Sequence, residues 1–459
     1  MPRLAAIALL CLCAAPRSFA QTTPPAGTTT KATAKKKPAK KPKKKVRAVR
    51  VQHYSAPRVS VKVRAASLQK VALQLDERPD PVIDRPGTLV PFFERLYRLS
   101  TGDSPTVHIL HFGDSHTASD DWTGVLRDLF QYRFGNGGPG FSLAGIPFKG
   151  YRRFDVHGGA SKAWDAEGLR TGEGDGFFGL GGVSISTERA AQTIYLDADC
   201  ASVELDYLQQ PGGGRIALSS DGETVQEAST EGGFAPGFLE YATKPGRHRF
   251  EVRTLEPAPV RLFGWVAENP KGLTYESIGI NGAEAALIQR WDEPMHAAYL
   301  KRRDPALIVL AYGTNEATDT KWTEAGYLEA FSAILLRLRR AVPAASILVL
   351  GPPDRFTRVK GRWRPYEGVD RIVAAQLEAC RQNRCAYWNT RARMGAEGSM
   401  GDWVMAGLAQ GDYAHFTSLG YQRLANVLFQ DIMRLYESYL KVRPELATQA
   451  TDDQTSQDH

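Results

Sequence analysis

The chain has 459 residues, 42% hydrophobic and 24% charged, a globular composition with room for two domains and tails. Its formal net charge of +8 is concentrated in one place: Lys31 to Arg50 holds nine Lys, two Arg and no acid, so the remainder is mildly acidic. A chain basic throughout is thereby excluded, and no segment beyond the first twenty residues is long and apolar enough to cross a bilayer.

Residues 1–20 read as a secretory signal. Arg3 supplies the positive start, Leu4 to Ala15 the short apolar core, and Ser18-Phe19-Ala20 the small residues at its end. The expected location is the periplasm or the exterior. Residues 21–60 are mostly Thr, Pro, Ala and Lys, with little to bury, and are expected to be a disordered linker. A lysine run such as Lys35–Lys45 neutralises phosphates without reading sequence. Export argues against a nucleic-acid partner, which leaves a solvated spacer or a contact with an anionic envelope surface. With Cys11 and Cys13 inside the signal, Cys200, Cys380 and Cys385 remain. Cys380 and Cys385 are spaced to close a small loop in an oxidising compartment, or to stay as buried thiols, and both readings stand.

Leu89 to Leu99 carries apolar residues at helical spacing, and Thr106 to Phe112 is an apolar strand. Asp120 to Phe134 reads as a helix burying Trp122, Val125, Leu126, Leu129 and Phe130. From about Lys149 to Val266 the helical period disappears. Short alternating segments take its place, at Thr193–Leu196, Ser202–Leu208, Arg215–Ser219, Leu239–Ala242, Arg247–Arg253 and Val260–Trp265. Gly and Pro clusters separate them, the pattern of a jelly-roll-like β-sandwich. Tyr207, Phe234, Phe238 and Tyr241 in this stretch have faces for sugars, although core packing is the default. Leu273–Ile278 resumes the earlier pattern. Strands at Ala306–Ala311, Ser346–Leu350 and Cys385–Trp388 alternate with helices at Thr323–Val342, Tyr366–Asn383 and Thr417–Leu440. The expected architecture is an α/β domain over 85–148 and 271–442, a parallel sheet with helices on both faces. Residues 149–270 form the inserted β-sandwich, and 443–459 a disordered tail.

The chemistry concentrates at loops after strands. Ser115, in His111-Phe112-Gly113-Asp114-Ser115-His116, follows one strand and precedes a helix. Asp412-Tyr413-Ala414-His415 places an acid where it can hold an imidazole within one turn of chain. Nucleophile, base and orienter are the parts of a serine esterase. Gly282 follows the resumed strand and Asn315 the next one. Both stand at carboxyl ends of strands, where open α/β sheets gather ligands, and each can donate a hydrogen bond to an oxyanion. Taken singly, each is an ordinary residue: a turn serine, a helix-start glycine, a turn asparagine, a surface histidine. Asp114 is read as a turn residue bonding the backbone. His108, His111 and His116 do not make a metal site, because residues three apart on a strand point to opposite faces.

These blocks resemble, in order, those of the SGNH (GDSL-type) hydrolases. Gly113-Asp114-Ser115 matches the first block, Gly282 the second, Gly313-Thr314-Asn315 the third, and Asp412 with His415 the last. His116 and Glu316 depart from the usual Leu and Asp, and with Thr117-Ala118 resemble the subgroup containing bacterial peptidoglycan O-acetylesterases, some with a carbohydrate-binding-like β domain inserted after the first block. The resemblance implies a flavodoxin-like sheet and a cofactor-free, metal-free esterase. Ser115 would be the nucleophile, His415 the base and Asp412 its orienter. The Ser115 and Gly282 N–H groups and the Asn315 side chain would form the oxyanion hole. The expected function is an exported serine esterase removing acetyl groups from an envelope polysaccharide, O-acetylated peptidoglycan first. The rivals are a polysaccharide O-acetyltransferase on the same scaffold and a non-catalytic wall-binding protein.

Overall fold

In the computed structural model, residues 57–169 and 174–457 are described, with side chains as far as Arg443. The signal expected over 1–20, the Lys35–Lys45 tract and the linker up to residue 56 lie outside the described residues. The chain enters through α1 (Val61–Asp76), whose first turn is capped by Ser60 Oγ accepting from Val63 N. The sequence reading did not anticipate this helix. Val71 and Leu75 are its only fully buried residues, too narrow a stripe to show as a period. Helix α2 (Val90–Thr101) is strongly amphipathic and buries Phe92, Phe93 and Leu96.

The central sheet opens with β1 (Thr106–Gly113), followed by the single turn α3 (Ser115–Ala118) and α4 (Asp121–Phe134). The next strands, β2 (Gly140–Leu143) to β5, with β3 at His157–Ala160, β4 at Asp165–Glu167 and β5 at Ser184–Thr187, belong to a second sheet. So do β6 (Thr193–Gln209), β7 (Arg215–Ser220), β8 (Glu223–Ser229), β9 (Ala235–Thr254) and β10 (Val260–Glu268). The first sheet resumes with β11 (Gly272–Gly279), and α5 (Glu293–Arg303) leads to β12 (Leu307–Ala311). Then come α6 (Glu324–Ala341), β13 (Ser346–Leu350), a small hairpin of β14 (Phe356–Val359) and β15 (Arg362–Pro365), α7 (Gly368–Gln382) and β16 (Ala386–Trp388). Short helices α8 (Thr390–Arg393) and α9 (Ser399–Met405) precede the closing α10 (Ser418–Gln457).

The first sheet has five strands in the order β11-β1-β12-β13-β16, all parallel. This is the flavodoxin-like order, and its reversal point lies between β1 and β12. Every second residue explains the layers. Val107 and Ile109 of β1 and Val309 of β12 join one core with Phe92, Trp122, Phe130 and Leu428 of α2, α4 and α10. Leu110, Phe112, Ile308 and Leu310 join the other with Tyr299, Phe331, Leu335 and Ile372 of α5, α6 and α7. Burial on both faces is why these strands read as unbroken apolar runs.

The second sheet is nine-stranded and antiparallel, built on a separate core that includes Leu205, Phe250, Leu262 and Trp265. Three expectations are corrected. The segments expected as separate strands over 193–208 merge into β6, and those over 239–253 into β9. A register shift between Cys200 and Ser202 absorbs the irregularity that resembled two breaks. The sheet also begins upstream of residue 149, because β2 pairs with β10; all four β2 residues are buried, so no alternation marks them as a strand. The tail expected to be disordered over 443–459 continues as α10 to Gln457. Extending an existing helix through Glu445-Leu446-Ala447 avoids the cost of nucleation. Cys200, Cys380 and Cys385 are free, buried thiols.

Candidate active site

The serine turn is shaped by what its neighbours lack. A Cβ on Gly113 would lie 2.1 Å from Thr117 Oγ1 and 2.9 Å from Ala311 O, and one on Gly279 would lie 2.2 Å from Ala118 N. Bare backbone at these two positions lets α3 settle onto the ends of β1, β11 and β12. Asp114 caps the turn: its Oδ1 accepts from His116 N at 2.9 Å, and its carbonyl accepts from Ala118 N at 2.9 Å. The same carboxyl is buried, which pushes its pKa up to about 6. Ser277 Oγ donates to Thr117 O at 2.9 Å and fastens the turn from β11.

The second loop is held by its own acid. Asp412 Oδ1 accepts from Ala414 N at 3.1 Å and His415 N at 3.0 Å, while Oδ2 accepts from His415 Nδ1 at 2.7 Å. Tyr413 takes the left-handed conformation, φ 55°, that closes this turn. Both nitrogens of His415 are thus engaged: Nδ1–H by Asp412, and Nε2 by Ser115 Oγ at 2.9 Å, across 300 residues of chain. With Asp412 fixing the proton on Nδ1, Nε2 is the acceptor for the serine hydroxyl. Burial works to lower the pKa of His415, but the Asp412 hydrogen bond and charge outweigh it and leave it raised. Asp412 loses solvation too, yet the His415 bond carries its carboxyl down to about 2.

Asn315 and Gly282 stand on the adjoining loops. Asn315 Nδ2 donates to Ala283 O at 2.9 Å, with Asp114 Oδ2 at 3.4 Å. Gly282 is exposed, at φ 77°, with nothing within 4 Å of where a Cβ would be. The residue that joins these two loops is Glu316, noted in the sequence only as a departure. Its Oε1 accepts from Ala285 N at 2.8 Å and its Oε2 from Gly313 N at 3.0 Å. Tyr327 OH adds a third contact at 3.3 Å. Burial pushes the carboxyl up to about 8. Its only trace in the sequence is an acid next to Asn315 after an apolar strand.

The remaining histidines separate. His116 packs beside His415, ring centroids 5.0 Å apart, with Nδ1 2.7 Å from the Tyr421 hydroxyl. Burial holds it well below the usual histidine range, so no second positive charge competes beside His415. His111 meets Tyr275 and Trp122. His108 lies with Glu268 and Glu276 at metal-ligand spacing, but the Arg303 guanidinium bonds all three and fills the position a cation would take. Of the aromatic residues considered for sugars, Tyr207 is buried and Phe238 packs on Tyr299, whereas Phe234 is exposed and stacks on Phe177.

Residues 248–423 match the model of the GDSL-like lipase/acylhydrolase family, a stretch that holds Gly282, Asn315, Asp412 and His415 and begins after Ser115. The chain is similar to a solved peptidoglycan O-acetylesterase, with 28% identity over 76% of this chain and 96% of that one and a TM-score of 0.66. It matches family two carbohydrate esterases more distantly. The one from Cellvibrio japonicus gives 11% identity, coverage of 61% and 98%, and a TM-score of 0.27. The one from Clostridium thermocellum gives 12%, coverage of 55% and 94%, and 0.27. No curated protein matches the sequence.

Proposed function

Because the chain carries a GDSL-like lipase/acylhydrolase domain and is an esterase with a peptidoglycan O-acetylesterase as structural neighbour, we propose that it removes O-acetyl groups from peptidoglycan outside the cytoplasm, through an acyl-Ser115 intermediate. The observation that carries this reading is the 2.9 Å approach of Ser115 Oγ to His415 Nε2, with Asp412 behind it at 2.7 Å. His415 takes the Ser115 proton as Oγ attacks the acetyl carbonyl. The oxyanion accepts from the Ser115 and Gly282 N–H groups and from Asn315 Nδ2, whose second hydrogen turns to the substrate from its long 3.4 Å contact with Asp114 Oδ2 while the first stays on Ala283 O. Collapse breaks the bond to the sugar oxygen, which leaves with the proton from His415. Water, deprotonated by His415, then attacks the acyl-serine; the bond to Ser115 Oγ breaks, Oγ takes the proton back from His415, and acetate departs. No metal or cofactor enters these steps.

Two features support the wider reading. A groove of about 410 Å³ on the insertion, lined by His157, Ser161, Trp164 and Tyr195 among others, has room for a sugar. The Arg3, Leu4–Ala15 and Ser18–Ala20 pattern supports export, and the Lys35–Lys45 tract suits an anionic envelope surface. No helix among the described residues is long and apolar enough to cross a membrane. The test is acetate release from O-acetylated peptidoglycan. Ser115→Ala is expected to lower it by at least about a thousandfold without changing the unfolding transition. An active Ser115→Ala protein would refute the assignment, and acetyl appearing on an added glycan instead of in solution would turn it toward transfer.

A further inference from the structure

The hairpin β14–β15 has no part in the steps above, yet it is built onto both catalytic loops. Lys360 (φ 47°) and Gly361 (φ 80°) turn it, the two left-handed residues of a type I′ turn. At its root, Arg355 Nη1 donates to Thr314 O at 2.7 Å, beside Asn315. Phe356 N donates to Tyr413 O at 3.0 Å, and Tyr413 lies between Asp412 and His415. Trp363 stacks on the Tyr413 ring at 4.7 Å and 26°, with Phe356 at 5.3 Å. The register sets Phe356 opposite Pro365 and Arg358 opposite Trp363, so one face of the hairpin is committed to the His415 loop.

What the hairpin exposes is cationic. Arg358, Lys360, Arg362 and Arg364 are all exposed, and no acid occurs between Arg355 and Tyr366. None of the four has a carboxylate within salt-bridge distance among the described residues, so four like charges stand together on the eleven residues of chain from Arg355 to Pro365. A cluster of unpaired like charges on a short hairpin repels itself and is stabilised by anions from outside. Arg358 also lies 5.8 Å over the Trp363 ring, which keeps it near the Tyr413 stack.

We propose that this hairpin is the anchoring subsite for a carboxylate-bearing glycan polymer, whose acids pair with Arg358, Lys360, Arg362 and Arg364 while an acetylated sugar lies at Ser115. The proposal rests on the esterase reading and adds the charge of the substrate strand to it. Its attachment to the loops of Asn315 and His415 puts it beside an ester-cleaving site, which favours a glycan over nucleic acid. Guanidinium groups suit carboxylates, which they can grip with two parallel bonds.

The test reads binding, so it does not depend on turnover. Full-length Ser115→Ala protein is sedimented with insoluble peptidoglycan, with the same polymer after carboxyl amidation, and in competition with polygalacturonate. A second protein carries R358Q, K360Q, R362Q and R364Q in addition. Both retain the Lys35–Lys45 tract, so its contribution cancels in the comparison. The parent is expected to bind native peptidoglycan about tenfold more tightly than the quadruple variant, with an advantage that shrinks as salt rises and vanishes on the amidated polymer. Competition by polygalacturonate assigns the carboxylates to sugars, and its absence assigns them to peptide stems. An R358K, R362K and R364K variant keeps the charge but loses the two-bond grip and is expected to bind between the parent and the quadruple variant, which separates charge from local folding. Equal binding by parent and quadruple variant overturns the proposal, as does a parent that prefers a single-stranded oligonucleotide to peptidoglycan. Unsubstituted protein, with Ser115 in place, that binds in this manner but releases no acetate refutes the esterase reading instead.

Discussion

His415 accepts a proton from Ser115 only while its Nε2 is unprotonated, so the pKa of this one imidazole sets the acid side of the proposed reaction. The Asp412 carboxylate raises it above the ordinary histidine value, and Asp412 itself, held near 2, stays ionised throughout the useful pH range. Activity should therefore rise with pH through a midpoint above that of a free histidine, as His415 loses its proton. Asp412→Asn removes the charge that raises it, so the midpoint should move to lower pH while kcat falls on the order of 10⁴-fold. A pH–rate profile on a small acetyl ester reads both, and an unmoved midpoint would show that Asp412 does not govern His415. Glu316 acts one step further back, through the backbone. Above about pH 8, where the Glu316 carboxyl is ionised, Glu316→Gln replaces one acceptor oxygen with a donor, leaving either Ala285 N–H or Gly313 N–H without its partner. The expected cost is about 1–3 kcal/mol in urea unfolding, with a lower kcat because the Gly282 and Asn315 loops are no longer tied together.

Among the elements, the turn α3 shows how strand ends make a site. Parallel strands end together, so the loops after β1, β11 and β12 meet wherever their residues permit close approach. Gly113→Ala introduces a Cβ at 2.1 Å from Thr117 Oγ1 and 2.9 Å from Ala311 O, and the second contact is backbone that cannot rotate away. The variant should lose about 1–3 kcal/mol of stability. It should also lose about 100-fold in kcat, the scale expected for a displacement near 1 Å. Unfolding and steady-state kinetics on one preparation test both figures. The hairpin β14–β15 and helix α1 escaped the sequence reading for related reasons. Arg355–Pro365 is rich in charge because its apolar partner is a single loop residue, Tyr413, and α1 hides little more than Val71 and Leu75. Neither leaves the periodic signature that a broad core imposes.

At the scale of the whole molecule, α5 carries the insertion against the parallel-sheet domain. Tyr299 OH donates to Tyr207 O at 2.7 Å, and Arg302 pairs with Glu204 and Glu240 while Arg303 binds Glu268. Tyr299→Phe keeps the ring and removes the donor to a buried carbonyl. The expected loss is about 1–2 kcal/mol in urea unfolding, and an unchanged midpoint would show that this bond does not couple the two sheets.

By itself the amino-acid sequence determined the layered α/β architecture, because strands buried on both faces must be apolar throughout and the helices that cover them must repeat every three to four residues. It also marked Ser115, Gly282, Asn315, Asp412 and His415 as candidates, and the Asp412–His415 contact is nearly local, two ends of one turn. Tertiary structure alone decided three other matters. It set the 2.9 Å meeting of Ser115 and His415, the bracing of two loops by Glu316, and the seat of a cationic hairpin on Tyr413. Periodicity and local spacing report what a residue does within its own element. Contacts between residues hundreds of positions apart depend on strand order and register, which arise only when the whole sheet closes.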